Sequence, residues 1–511
     1  LFRDPVNSPL NPHFFAYGSF PLYLLAFVGN ILARFNPSLG SFANLTLIGR
    51  VLSALFDCAT IPLTGYLALR LTRDTTPGRA HAWSVALLAA ALVAFTPFQL
   101  QLAHFYAVDT MLLFFIEFTV LACVILVETE RLLLWSLLVG LGYGLAMATK
   151  FSAAPLAVPV VVAVLLRWYR RRDIFSAAIT LLSIALVTLL VFLIAEPYAF
   201  LDMPNFIQQV SDQGSLARGT LDLPYVRQFA GTLPFVYEGQ NILFWGLGLM
   251  LGLAACAGLL WLLWRVWKRD ADLWLVVLSW VAVYGAIMCS FYVKFMRYML
   301  PIYPFLTLMG ASFLLALVRH DWKIESNTFP RRTVKYLPYA AIALVLGGTI
   351  FQGLALLNVD SQPNTRIQAS RWIYSHLKPG SVLTYEQWDD PLPVAVDGHD
   401  PSLYVQASYT GPDGQPTTGL DLYDDDTLAK AQMLARLLPT IDAITMPTER
   451  LSKSIPRLPA RYPLTIRYYN LLFSGQLGYH LAAQFENHPN LFGIMLNDSG
   501  ADESYSVFDH P

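Results

Sequence analysis

The sequence predicts an α-helical polytopic membrane protein of about ten spans, followed by a C-terminal extracytoplasmic α/β domain. Three observations predict it. First, 55% of the 511 residues are hydrophobic and only 14% charged, too few charges to cover the surface of a soluble domain of this size. Second, apolar stretches long enough to cross about 30 Å of hydrocarbon recur between residues 45 and 357. Third, the loops between them alternate between basic and nearly uncharged, as loops on opposite sides of a bilayer do. A net charge of -1 excludes the basic face that a nucleic-acid binder needs.

The apolar stretches are 45–69, 82–103, 109–127, 132–149, 152–167, 174–195, 243–264, 271–291, 298–318 and 336–357. One set of loops holds Arg70, Arg73 and Arg79; Arg131; Arg167, Arg170, Arg171 and Arg172; Arg265, Lys268 and Arg269; and Arg319, Lys323, Arg331, Arg332 and Lys335. The alternate set holds only Lys150, Arg218, Arg227, Lys294 and Arg297. The basic set is therefore cytoplasmic. HFYAVD (104–109), the connection 197–242, FYVKFMR (291–297) and everything after 358 share the outer face of the plasma membrane. Residues 1–44 form an outer loop in which 19–35, short and opened by a proline, reads as an interfacial juxtamembrane helix; an ordinary first span is the alternative. Residues 45–358 form the membrane domain.

Composition changes past Leu357, and 359–511 reads as the α/β domain. TRIQASRWIYSHLKPG forms an amphipathic helix with a Pro-Gly stop, SVLTYEQW a strand, DDDTLAKAQMLARLLPTID a second capped helix and AITMP a short strand. TIRYYNLLF reads as a core strand, and SVFDHP at the end as the approach to another. Cys58, Cys123, Cys256 and Cys289 lie in apolar stretches without CxxC spacing and read as packing residues.

Ionisable groups near a bilayer are expensive, and here they gather at the outer helix ends. Asp109 opens a helix after HFYAV, as a pocket acid or simply as the helix N-cap. Arg50 (GRVLSALFD), Lys150 (ATKFSAAP), and Arg297 with Tyr298 (FYVKFMRY) supply cations and a phenol, the cations either binding an anion or snorkelling to headgroups. His13, Tyr17, His104, Glu196 and Lys294 complete a candidate pocket, the histidines having the alternative of ordinary loop hydrogen bonding. Asp57 and Glu117 lie deeper and Glu128 marks the cytoplasmic boundary. A pocket for an anionic ligand accounts for the whole set.

The order of NPHFFAYGSFPLYL, GRVLSALFD, HFYAVDTMLLFF, ATKFSAAP and KFMRYMLPIYPFL resembles the polyprenyl-phosphate-dependent glycosyltransferases of clan GT-C, family thirty-nine, which includes protein O-mannosyltransferases and lipid A aminoarabinose transferases. SRWIYSHLKPGSVLTYEQWDDPLP and YYNLLFSGQLGYHLAAQF resemble the outer domain of bacterial members. The resemblance implies a GT-C bundle that moves a hexose or pentose from a polyprenyl-phosphate-linked donor to a hydroxyl of a glycan, lipid or protein acceptor, with inversion. It implies that Asp109 is the second family acid, positioning acceptor or a divalent metal. It also implies that Arg297, Tyr298 and Arg50 stand near the lipid phosphate, with Lys150 the remaining phosphate-binding candidate. The family's main acid belongs to a first outer loop; Asp4 lies in that loop but not in the motif, and the chain reads as a fragment that begins after it. A lipid or sugar transporter and a noncatalytic anchor are the competing classes. The first calls for an inverted repeat and broken helices at the midplane, neither of which is visible in the sequence, and the second leaves the clustered charges unexplained.

Overall fold

The computed structural model describes residues 6–72, 79–320, 331–387, 390–411 and 414–498. Asp4, Lys323 and the SVFDHP terminus lie outside the described residues. Contacts divide the chain into two compact units, one of residues up to Arg218 with Pro234–Leu354, the other of Gly219–Leu233 with residues from Ala355 onward.

The first unit is helical. After α1 (Phe20–Phe35) come α2 (Phe42–Thr72), α3 (Arg79–Ala94), α4 (Pro97–Ala103), α5 (Val108–Glu128), α6 (Leu132–Thr149), α7 (Ala157–Arg171) and α8 (Ile174–Ala195). The connection holds α9 (Tyr198–Leu201), α10 (Met203–Ala217) and α11 (Val236–Asn241), and then α12 (Leu249–Trp267), α13 (Trp274–Ser290), α14 (Tyr303–Arg319) and α15 (Arg331–Asp360) follow. Each of the ten expected stretches contains a helix. Among the described residues eight helices are long and apolar enough to cross a membrane, or nine when α3 and α4 count as one span bent by 58°. The bend falls at Pro97, which has no N–H to donate and holds Thr96 extended. At 17 residues α13 is a shorter apolar helix and stands outside the eight. The protein is an integral membrane protein.

Burial sorts the helices. Residues of α5 are buried almost all round, the pattern of a central helix. By contrast α8 leaves Leu182, Leu186, Leu189 and Ile194 exposed, as a lipid-facing helix must. α8 packs against α6 at Gly140 and Gly144, one turn apart. A Cβ on either would stand 2.7 Å from the Cβ of Val187 or Val191 of α8, so only glycine permits this approach. Arg70–Glu128 (2.7 Å) and Arg170–Asp272 (3.0 Å) tie together helix ends that the loop alternation assigns to the cytoplasm.

The second unit is small and mixed. It contains α16 (Thr365–His376), β1 (Val382–Tyr385), β2 (Val405–Gln406), β3 (Ser408–Thr410), β4 (Pro416–Thr418), α17 (Leu428–Leu437), β5 (Ala443–Thr445), α18 (Arg450–Ser454), α19 (Pro463–Phe473), β6 (Asn490–Leu491) and β7 (Ile494–Met495). A three-stranded parallel sheet has the order β2-β1-β5. Asn364 and Thr427 cap α16 and α17 by accepting from backbone N–H groups. TIRYYNLLF is helical, within α19, and not a strand. Pro463 at its start favours a helix, and Thr465, Tyr468 and Tyr469 face a core with Leu422, Leu434 and Leu451, so packing at helical spacing overrides aromatic strand preference. Within this unit Arg227 donates to Asp222 (2.9 Å) and to the Tyr423 carbonyl (2.6 Å), and Arg461 also donates to Asp222 (2.7 Å).

Candidate functional site

The start of α5, the end of α6 and the start of the α14 span converge on one buried ion pair. Chain geometry explains its position. At the end of α6 the backbone turns extended at Lys150 before a 3-10 turn, Phe151–Leu156, leads into α7. The N-terminal segment lies directly against that corner: Gly18 N–H donates to the Thr149 carbonyl at 3.0 Å. A Cβ on Gly18 would stand 1.8 Å from the Ala148 carbonyl oxygen, so this contact requires glycine. It sets Tyr17 beside Lys150.

Lys150 Nζ donates to Asp109 Oδ1 at 2.8 Å, with the two side chains 11% and 2% exposed. The ammonium also lies 5.3 Å from the Tyr17 ring centroid and 5.1 Å from that of Tyr298, within cation–π range. Asp109 does not cap its helix, because the N-cap position is Ala107 and no side chain closes the first turn. Its carboxylate is committed to Lys150. Tyr298 belongs to a 3-10 turn, Met296–Ile302, and its carbonyl accepts from the Tyr284 hydroxyl at 2.8 Å. The neighbouring Arg297 guanidinium lies over the rings of Phe295 (5.4 Å) and Tyr298 (6.0 Å). Asp109, Lys150, Tyr17, Tyr298 and Arg297 thus form one contiguous group from four parts of the chain.

Other sequence candidates surround or miss this group. Glu196, buried at the end of α8, accepts from the Ser19 hydroxyl at 2.6 Å and from the Ser19 N–H. Burial pushes its carboxyl up to about 7, against the two hydrogen bonds from Ser19. Its task is to hold the N-terminal segment, which Asn11–Asp202 (2.8 Å) and Phe15–Gln209 (2.7 Å) also tie down. Lys294 is buried and donates to the Tyr292 carbonyl at 2.9 Å; burial lowers its pKa, and the nearby Glu238 opposes that shift. Glu238, whose own pKa burial raises, is the member sequence reasoning missed; its signal was an acid within YEGQN immediately before an apolar span. His13 and His104 are exposed, His104 bonding the Leu100 carbonyl at 2.7 Å. Arg50 is exposed on α2, and no hydrogen bond or ion pair among the described residues joins it to the Asp109–Lys150 pair.

Among the described residues no three His, Cys, Asp or Glu side chains gather as metal ligands. With its carboxylate engaged by Lys150, Asp109 does not fit the role of metal ligand. An apolar groove of about 890 Å³ runs between α7, α12 and α13, lined by residues such as Leu166, Leu263, Leu278 and Val281 and reaching Phe235.

Residues 76–195 match the family model of dolichyl-phosphate-mannose-protein mannosyltransferase. That segment holds both members of the buried pair. Comparison with curated proteins finds no match. Among solved structures, the oligosaccharyltransferase of Archaeoglobus fulgidus in its apo form is 15% identical over 73% of this chain, with a TM-score of 0.40. The present chain spans 55% of the length of that protein. The complex of the same archaeal enzyme, AglB, with an inhibitory peptide and a dolichol-phosphate is 14% identical over 95% of this chain and 67% of its own, with a TM-score of 0.44. ArnT from Cupriavidus metallidurans bound to undecaprenyl phosphate is 15% identical over 74% of this chain and 73% of its own, with a TM-score of 0.41.

Proposed function

We propose that the protein is a membrane glycosyltransferase that moves a sugar from a polyprenyl-phosphate-linked donor to an acceptor hydroxyl at the extracytoplasmic face. The observation that carries this reading is the buried Asp109–Lys150 pair set beside Tyr298 and Arg297. It lies at the helix ends where an amphiphilic donor presents its phosphate. The mannosyltransferase model matched over 76–195 supports the same chemistry.

Arg297 and Tyr298 take the donor phosphate, since a planar guanidinium offers paired N–H groups to phosphate oxygens. Lys150, fixed by Asp109, adds positive charge without moving, so the field is organised before reaction. The acceptor oxygen bonds to the anomeric carbon while the carbon–oxygen bond to the phosphate breaks, its electron pair staying on the departing lipid phosphate. The hydroxyl proton passes to a carboxylate base, and direct displacement inverts the anomeric centre. Asp109 positions Lys150 in this scheme and is not the base. The groove between α7, α12 and α13 takes part of the isoprenoid chain, its apolar lining matching hydrocarbon. The second unit lies on the outer side, as the loop alternation requires.

The test is donor turnover by full-length protein carrying Asp109→Asn and Arg297→Ala together. Loss of lipid-phosphate release from a panel of radiolabelled polyprenyl-phosphate sugars is the expected result. Undiminished release would overturn the site.

A further inference from the structure

At the opposite ends of the helices, α2, α3, α12, α13 and α14 enclose a second, polar cavity of about 280 Å³. This is several times the ~30 Å³ share of one water molecule, room for a phosphate group and its nearest waters. His81 of α3, Arg265 of α12, and Arg319 and His320 at the end of α14 all line it. Ser312 and Arg319 lie two turns apart on α14 and so share a face.

These groups are not equivalent. Arg265 is held in place: its Nε donates to Asp270 Oδ2 at 3.2 Å, a second nitrogen donates to the Asp270 carbonyl at 3.0 Å, and its guanidinium lies 5.1 Å over Trp261. Asp270 presents half of its side chain to solvent, so it neutralises the cavity only in part. Arg319 and His320 have polar contacts of their own. Ser312 is the anomaly. It is 4% exposed and lines the cavity, yet its hydroxyl has no hydrogen-bond partner among the described residues. A buried hydroxyl is costly to leave unpaired, and one on a residue that lines a basic cavity can turn to donate to an anion.

We propose that this cavity binds a phosphate group. The Ser312 hydroxyl donates to one oxygen, and Arg265 and Arg319 donate to the others. Two sources share this chemistry: the headgroup of an anionic phospholipid entering from the adjacent leaflet, and a soluble phosphate. The cavity sits at helix ends that the loop alternation assigns to the cytoplasm. Basic pockets between membrane helices on that side take anionic headgroups. The inference is independent of the transfer reaction.

The experiment uses the full chain purified in neutral detergent, with bound lipid counted by native mass spectrometry and inorganic phosphate titrated by thermal shift. Dioleoylphosphatidylglycerol is expected to bind at one saturable site, Arg319→Ala weakening it about tenfold, the scale of one hydrogen bond to a charged group. Ser312→Ala, which removes a single buried oxygen and leaves the helix intact, is expected to weaken it about threefold. Saturable lipid binding that inorganic phosphate does not displace assigns the headgroup source; stabilisation by inorganic phosphate that both variants lose assigns the soluble one. Wild-type affinity in both variants, or no response of the wild type to either probe, would overturn the proposal.

Discussion

Replacing Lys150 with methionine isolates the pair on which the site is built. Methionine keeps most of the side-chain volume, so the change removes charge and little packing. The Asp109 carboxylate, 2% exposed and paired at 2.8 Å, is then left buried and unpaired. Removing one partner of such a pair costs about 3–5 kcal/mol. Loss of the two ring contacts at 5.3 and 5.1 Å adds about 0.5–2 kcal/mol in total, since the rings share one ammonium. The expected destabilisation of Lys150→Met is therefore about 3.5–7 kcal/mol. Adding Asp109→Asn removes the orphaned charge, and the double variant should recover about 2 kcal/mol or more relative to the sum of the single changes. The assay is a double-mutant cycle of denaturant unfolding in detergent micelles. A Lys150→Met protein within about 0.5 kcal/mol of wild type, or strictly additive single changes, would refute a buried, coupled pair.

Three further outcomes follow from the same geometry. Gly18→Ala places a Cβ against the Ala148 carbonyl and is expected to cost about 1–3 kcal/mol, read by thermal unfolding, with donor affinity falling as Tyr17 moves away from Lys150; unchanged stability would show that the contact is loose. Because burial raises the Glu196 carboxyl to about 7, its contribution to stability is full below the unfolded value near 4.5 and lost as pH rises through about 7. Glu196→Gln should therefore flatten the fall in melting temperature between about pH 5 and pH 8, and an unchanged slope would contradict the assignment. Asp222 runs the other way: the hydrogen bond from Arg227, joined by that from Arg461, holds it at about 2, so its contribution is present above about pH 4 and lost as pH falls toward 2. Protection of 219–233 against hydrogen exchange, after correction for the intrinsic rate at each pH, should fall over that acid range in the wild type and be low throughout in Asp222→Asn; wild-type protection in the variant at neutral pH would refute this.

Much of the membrane unit was legible because it is written in one-dimensional patterns. Apolar length located a helix in each of the ten stretches, and the alternation of arginine-rich loops grouped Arg70, Glu128, Arg170 and Asp272 at ends that the ion pairs join. Individual members of the site were legible too, as charges where a bilayer discourages them. Their partnerships were not. Asp109 and Lys150 lie 41 residues apart and Ser19 and Glu196 177 apart, and nothing local distinguishes an acid that caps its helix from one that holds a distant lysine. The requirement for glycine at position 18 comes from the Ala148 carbonyl, which belongs to another helix. In the second unit, TIRYYNLLF misled because aromatic residues at short spacing suit either a strand or a helix until the surface they pack on is known. Residues 219–233 gave no sign that they pack with the later unit, since that contact rests on Arg227 reaching Tyr423.

The central claim is glycosyl transfer, and its most direct measurement follows a radiolabelled polyprenyl-phosphate sugar through purified full-length protein reconstituted in vesicles. The account predicts that lipid phosphate is released in step with sugar appearing on an acceptor, and that both stop in the Arg297→Ala variant. An intact donor that crosses the bilayer without losing its sugar would contradict it and identify a lipid transporter.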